Sequence, residues 1–224
     1  ETLIQTTRSA LLKWKFEDPE LLKQCCEEVK PKLLEKPEIR VYGKICHQNR
    51  NIGFFSDESI GYKYSGQLAP SQPLTPALKS LIEHINQKTQ SNFNGILVNE
   101  YLDGSNSIGA HSDDESGLGK NGVVGISVGA TRKFRIRHKK SKQIYDKQNE
   151  IFMESGDVIH MKGDFQKEFT HEIPVEKKIK EGRISFTFRY ELIEIFKTKK
   201  VSVDKEMVFT CGSGVTACVL GLAN

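Results

Sequence analysis

Apolar positions fall at helical spacing in two stretches early in the chain and at alternate positions through most of its remainder. The first stretch runs from Asp18 to Leu34, where Leu21, Leu22, Cys25, Val29 and Leu33 recur every three or four residues. Positions so spaced share one face of a helix, so the pattern predicts an amphipathic helix. Asp18 is placed to cap it, Pro19 sits at the first helical position, where a missing N–H costs nothing, and Pro37 ends it. A second helix is predicted from Thr75-Pro76 through Leu78, Leu81, Ile82 and Ile85 to Thr89. Between the two, Ile39 to Cys46 and Ile60 to Ser65 read as short strands. Pro70, Pro73 and Pro76 make Leu68 to Pro76 a predicted loop.

From Gly95 onward the period becomes two. Strands are predicted over Gly95 to Tyr101, Gly122 to Val128, Arg132 to His138, Ile144 to Met153, Asp157 to Met161 and Ile184 to Tyr190. Arg132 to His138 alternates basic with apolar residues, which implies one buried and one basic face. Helices first and many short strands after define an α+β, mostly β chain. Its natural architecture is two packed sheets or an open barrel, a jelly roll backed by the early helices.

Composition narrows the class. The 224 residues, 37% hydrophobic and 28% charged, fit one substantial soluble domain with small extensions. No run approaches the roughly 18 apolar residues of a membrane span. The start, Glu1 to Phe16, lacks the basic-then-apolar pattern of a signal peptide. No membrane partner is expected, and a monomer is. Cys25, Cys26, Cys46, Cys211 and Cys218 are odd in number and irregularly spaced, which argues against a disulfide framework. A reducing, intracellular compartment is therefore expected, nucleus or cytoplasm. A net charge of +4 suits a nucleic-acid partner and an ordinary solvated surface equally.

The candidate chemistry begins at His111-Ser112-Asp113. Residues two apart in a strand point the same way, so His111 and Asp113 can face one ion. His171, just before Ile173-Pro174-Val175, supplies a second imidazole, and Arg183 and Arg189 come after it. Two imidazoles and a carboxylate hold non-haem Fe(II) on one face and leave the other open. The arginines suit a carboxylate cosubstrate that takes a bidentate cation. His160 is the competing third ligand, but among apolar residues it reads as a satisfied core histidine. Zinc hydrolysis could use the same ligands, yet it leaves the arginines unexplained.

Several segments in order resemble the AlkB family of Fe(II)/2-oxoglutarate dioxygenases. They are Asn99-Glu100-Tyr101-Leu102-Asp103-Gly104, Ile108 to Glu115, Ser127 to Phe134, Gly156 to Ile159, His171 to Pro174, and Arg183 to Arg189. The similarity spans Val41 to Tyr190. Tyr62-Lys63-Tyr64-Ser65-Gly66 matches the branch that repairs alkylated bases. The resemblance implies a double-stranded β-helix, with Fe(II) held by His111, Asp113 and His171. It implies that Arg183 pairs with the distal carboxylate of 2-oxoglutarate, Asn99 and Tyr101 hydrogen-bond it, and Arg189 lies near its other end. Tyr64 is then the aromatic that stacks on a flipped base, and Asp114 and Glu115 are an acidic pair at the base edge. The activity implied is oxidative demethylation of N1-methyladenine and N3-methylcytosine in DNA or RNA. It couples 2-oxoglutarate decarboxylation, with O2, to methyl hydroxylation and formaldehyde release.

Two basic segments, Arg132 to Lys140 and Lys177, Lys178 and Lys180, are expected to track phosphates. Phe54 and Phe55 are expected in the core, with a wedge at the base stack as the alternative. The expected division is a helical extension over 1–38, a dioxygenase domain over 39–192 and an extension over 193–224. That last part holds Lys205 to Leu222, which resembles the active-site loop of rhodanese-type sulfurtransferases, with Cys211 as its thiol. A strand and one helix bury no core of their own, so it is read as an add-on. Three other readings stay open: an RNA- or protein-directed oxygenase, a nucleic-acid-binding module without turnover, and a sulfur carrier using Cys211.

Overall fold

The computed structural model describes residues 1–190, apart from 42–43, 60, 65–66, 114–120, 147 and 149. The opening residues form β1 (Thr2–Gln5) and β2 (Ser9–Lys15), and then α1 (Pro19–Val29) and a 3-10 turn. Next come β3 (Glu38–Val41), β4 (Lys44–His47), β5 (Asn51–Phe55), β6 (Gly61–Tyr64), β7 (Gln67–Gln72) and α2 (Pro76–Thr89). After α2 lie β8 (Gly95–Tyr101), β9 (Ile108–His111), β10 (Val123–Gly129), β11 (Arg132–His138) and β12 (Ile151–Met153). The last described elements are β13 (Asp157–Gly163), the short α3 (Phe165–Glu168), β14 (Phe169–Ile173) and β15 (Arg183–Arg189).

Both predicted helices form for the reasons the sequence supplies. The Asp18 carboxylate accepts from the Leu21 N–H at 2.9 Å, and the Thr75 hydroxyl accepts from the Leu78 N–H at 3.3 Å. Each helix carries proline in its first turn.

A nine-stranded sheet runs in the order β1-β2-β13-β10-β15-β8-β5-β7-β6, and a four-stranded sheet in the order β12-β11-β14-β9. Alternation along the central strands gives the large sheet two different faces. Ile96 and Val98 of β8, Val124 and Ile126 of β10, and Ile184, Phe186 and Phe188 of β15 pack with α1 and α2. The intervening residues, Asn99, Tyr101, Arg183, Ser185 and Arg189 among them, line a cavity between the sheets. Tyr101, Val123, Ile159 and Met161 from the large sheet meet Phe134, Ile136, Phe169 and Ile173 from the small one in a second core. This two-sheet arrangement is consistent with the expected jelly roll.

Several elements differ from the sequence reading. Residues 2–15 form two strands on the β13 edge of the large sheet, so the N-terminal segment supplies strands as well as a helix. Ile39 to Cys46 is a hairpin of two antiparallel strands rather than one strand. The proline-containing loop holds β7. Pro70 is tolerated because the pairing of β7 with β5 covers only Ser71 and Gln72, beyond the missing N–H. Among the described residues of Ile144 to Met153, the last three form a strand, and Ile144 makes an isolated bridge to Arg137. Phe54 and Phe55 are core residues, 1% and 0% exposed. Among the described residues no helix is long and apolar enough to cross a membrane.

Candidate metal and cosubstrate site

Strand pairing builds the first part of the site. β9 and β14 run antiparallel with His171 directly opposite His111, and the ring centroids lie 4.3 Å apart. His171 therefore sits inside a strand. Asp113 lies two residues past β9 and turns its carboxylate toward the Nε2 atoms of both rings. Its Oδ2 is 3.4 Å from His171 Nε2 and its Oδ1 is 3.9 Å from His111 Nε2. One ligand atom from each of the three lies within 4.8 Å of the others, a spacing that could hold a metal ion. His111 Nδ1 is 2.9 Å from the Gly109 carbonyl. A proton there donates to that oxygen and leaves the Nε2 lone pair for the cation.

Electrostatics prepare two of these groups, Asp113 and His171. Burial by itself would raise the Asp113 carboxyl. The Arg189 guanidinium, with Nη2 2.9 Å from Asp113 Oδ1, outweighs it with help from both imidazoles and holds the carboxyl well below the usual range. Burial, then the neighbouring His111, pushes His171 down to about 3. Asp113 is thus poised as a carboxylate and His171 as a neutral imidazole, the forms that bind metal.

These shifts make stability depend on pH. A histidine with a depressed folded pKa binds fewer protons folded than unfolded, so stability rises with pH across that range. His171 and the buried His160 both titrate downward in the fold, from a usual value near 6.5. Their contribution is complete above that value and is lost as pH falls below it. The Asp113 contribution is retained until the pH drops below about 3.9, the usual aspartate value. Metal-stripped protein is expected to melt several degrees lower at about pH 5 than at about pH 7.5. Equal melting temperatures, read by circular dichroism, contradict it.

The second part of the site lies along β8 and β15, whose register places Arg183 opposite Tyr101 and Ser185 opposite Asn99. Arg183 is 5% exposed, its Nε donates to Ser127 Oγ at 2.8 Å, and its guanidinium lies 5.3 Å from the Tyr101 ring centre. Its Nη1 is buried without a hydrogen-bond partner. An unmet buried donor costs about 1–3 kcal/mol, and a carboxylate in the cavity removes that cost. Asn99 Oδ1 accepts from Arg50 Nε at 2.6 Å. All seven predicted metal and cosubstrate residues line one cavity of about 70 Å3. Arg50 and Ser127 enlarge the set: Ser127 lies within a recognised segment, but nothing in the sequence around Arg50 marks it.

Other predicted residues fall differently. Tyr64 is the last residue of β6. Asp114, Glu115 and Cys211 lie outside the described residues. His160 Nε2 meets the Asn121 carbonyl at 2.7 Å, as a satisfied core histidine does. The basic strip on β11 is largely neutralised within the fold. Lys133 pairs with Glu150 at 2.6 Å, and Arg135 and Arg137 both pair with Glu172 at 2.9 Å.

Arg132 is fully buried and serves as a clamp. Its guanidinium donates to the carbonyls of Asp103, Asn106 and Pro174 and to the Glu176 carboxylate. Together with Gly104, where a Cβ would overlap the Glu176 carbonyl, it binds loop 102–106 to loop 174–182.

Two sheets enclosing a two-histidine, one-carboxylate face beside a buried arginine define a metal oxygenase that takes an acidic cosubstrate. The chain belongs to the 2OG-Fe(II) oxygenase superfamily, whose sequence profile matches residues 11–189. It works with Fe(II), 2-oxoglutarate and O2. The human DNA oxidative demethylase ALKBH2 is 29% identical over 191 residues, covering 83% of this chain and 72% of that protein. The human alpha-ketoglutarate-dependent dioxygenase alkB homolog 3 is 31% identical over 176 residues, 75% of this chain and 60% of that protein. The solved structure of OsALKBH1 superposes with a TM-score of 0.52 at 18% identity, covering 85% of this chain and 100% of that one, which speaks to the fold.

Proposed function

We propose that this protein oxidatively demethylates alkylated nucleobases, N1-methyladenine and N3-methylcytosine, in DNA or RNA. The observation that carries the reading is the single cavity in which the metal trio, the Asp113–Arg189 pair and the half-satisfied Arg183 meet. Relatives named as DNA oxidative demethylases supply the substrate class.

In this reading His111, Asp113 and His171 hold Fe(II), and Arg189 keeps Asp113 charged. Arg183 takes the distal carboxylate of 2-oxoglutarate, with Ser127 fixing its guanidinium. Tyr101 and Asn99 flank the cosubstrate, and Arg50 orients Asn99. The bound iron, cosubstrate and oxygen supply the oxidation of an N-methyl group, whose hydroxymethyl product sheds formaldehyde. A methyl group inside a duplex is out of reach, so the base is extruded or already single-stranded. Tyr64 stacks on that base, a contact worth about 1–3 kcal/mol, and Asp114 and Glu115 meet its edge. Lys177, Lys178 and Lys180, on the loop gripped by Arg132, contact phosphates. The catalytic unit is residues 39–192, with 1–38 supplying two edge strands and a helix. Free thiols at Cys25, Cys26 and Cys46 suit an intracellular setting, nucleus or cytoplasm.

The test is turnover with Fe(II), 2-oxoglutarate and oligonucleotides carrying either methylated base, as DNA and RNA, single- and double-stranded. Succinate and formaldehyde are expected to appear in step with loss of the methyl group. Absence of turnover on every one of these substrates defeats the reading.

A further inference from the structure

Asp113 lies two residues beyond the end of β9, outside the strand pairing that fixes His111 and His171. Arg189 anchors its carboxylate end. Its main-chain end is anchored separately: the Asp113 N–H donates to Gln166 Oε1 at 3.0 Å. Gln166 is 7% exposed and belongs to α3, which runs directly into β14 and His171. Its amide nitrogen donates to Met161 Sδ at 3.4 Å. The Asp113 N–H sets the amide orientation, because a flip would turn two donors, the amide NH2 and that N–H, against each other. The Ser112 hydroxyl adds a bond to the Phe169 carbonyl at 3.0 Å. Residues 165–173 therefore grip residues 111–113 by a side-chain acceptor, a hydroxyl bond and a strand pair.

Packing alone does not account for a glutamine here. Phe165 and Phe169, 0% and 2% exposed with ring centres 5.0 Å apart, already hold α3 and its junction with β14 to the core. Gln166 is a buried amide whose oxygen bonds the backbone of a candidate ligand.

We propose that Gln166 is a positioning residue for the metal, holding Asp113 at the separation from His171 that a cation requires. It touches neither metal nor cosubstrate. The inference rests on His111, Asp113 and His171 being the ligands, and outer partners of this kind are worth about 10–100-fold in metal affinity.

Cobalt(II), titrated into metal-free protein and monitored by its visible absorption and by calorimetry, tests this without turnover. The wild type is expected to saturate at one equivalent and His111→Ala to lose that binding. If His111→Ala binds like the wild type, the ligand assignment itself fails. Gln166→Leu is expected to raise the cobalt dissociation constant about 10–100-fold and alter the absorption band. Its metal-free melting temperature should fall by only a few degrees, because the Asp113 N–H loses its acceptor. Gln166→Glu, which keeps the acceptor, should bind close to wild type. If Gln166→Leu does not fold, Gln166→Asn, whose oxygen falls short of the Asp113 N–H, carries the same expected loss. Wild-type cobalt affinity in Gln166→Leu or Gln166→Asn, or a loss in Gln166→Glu equal to that in Gln166→Leu, overturns the proposal.

Discussion

Asp113→Ala is expected to abolish turnover and also to destabilise the metal-free protein by about 3–5 kcal/mol, the usual cost of removing one partner of a buried ion pair. The reason lies with Arg189, which is 1% exposed and gives Nη2 to Asp113 Oδ1 at 2.9 Å. Truncating the aspartate removes the Asp113 carboxylate from that buried guanidinium. His111→Ala should lose activity to the same degree, but the His111 side chain is 19% exposed and Asp113 keeps its Arg189 partner without it. The two variants should therefore be alike in a succinate assay and far apart in urea denaturation of metal-stripped samples. Equal stability of the two would show that Asp113–Arg189 is not the buried pair described above.

Arg183→Gln is expected to raise KM for 2-oxoglutarate by about 10- to 150-fold while leaving kcat much closer to wild type. A hydrogen bond to a charged group contributes about 1.5–3 kcal/mol, and about 1.4 kcal/mol is a factor of ten. The distal carboxylate is remote from the reacting atoms, so its loss removes binding common to ground and transition states. Arg183→Lys should recover only part of the loss. A lysine keeps the charge but not the planar fork that reaches Ser127 Oγ at 2.8 Å and lies over the Tyr101 ring. Steady-state kinetics with cosubstrate and oligonucleotide varied in turn decide the matter. An unchanged KM for 2-oxoglutarate removes Arg183 from its assigned place.

The range of each interaction decides whether the chain reveals it. Caps at Asp18 and Thr75 and the alternation of Arg132 to His138 are local signals, and those elements form where expected. The strand at Ser9–Lys15 has little alternation of its own and exists because β13 offers it an edge. The basic face of β11 reads as free charge in the sequence because its partners, Glu150 and Glu172, lie well downstream of the strand. In the site, the metal trio and the two arginines are visible from residue type and order. Arg50 and Gln166 are not, because each acts on a residue 49 or 53 positions away, a relation that only the folded chain creates.

Arg132 holds loops 102–106 and 174–182 chiefly through main-chain carbonyls, with Glu176 as its one side-chain acceptor. A grip on the peptide backbone is indifferent to most of the side chains it carries. Lys177 and Lys178 can therefore be exchanged over evolutionary time with Arg132 still holding the loop, whereas the Lys180 ammonium itself donates to the Lys177 carbonyl at 3.1 Å. If those lysines contact phosphates as proposed, drift there would tune how tightly a nucleic acid is held rather than which one, while the oxidising centre is inherited unchanged.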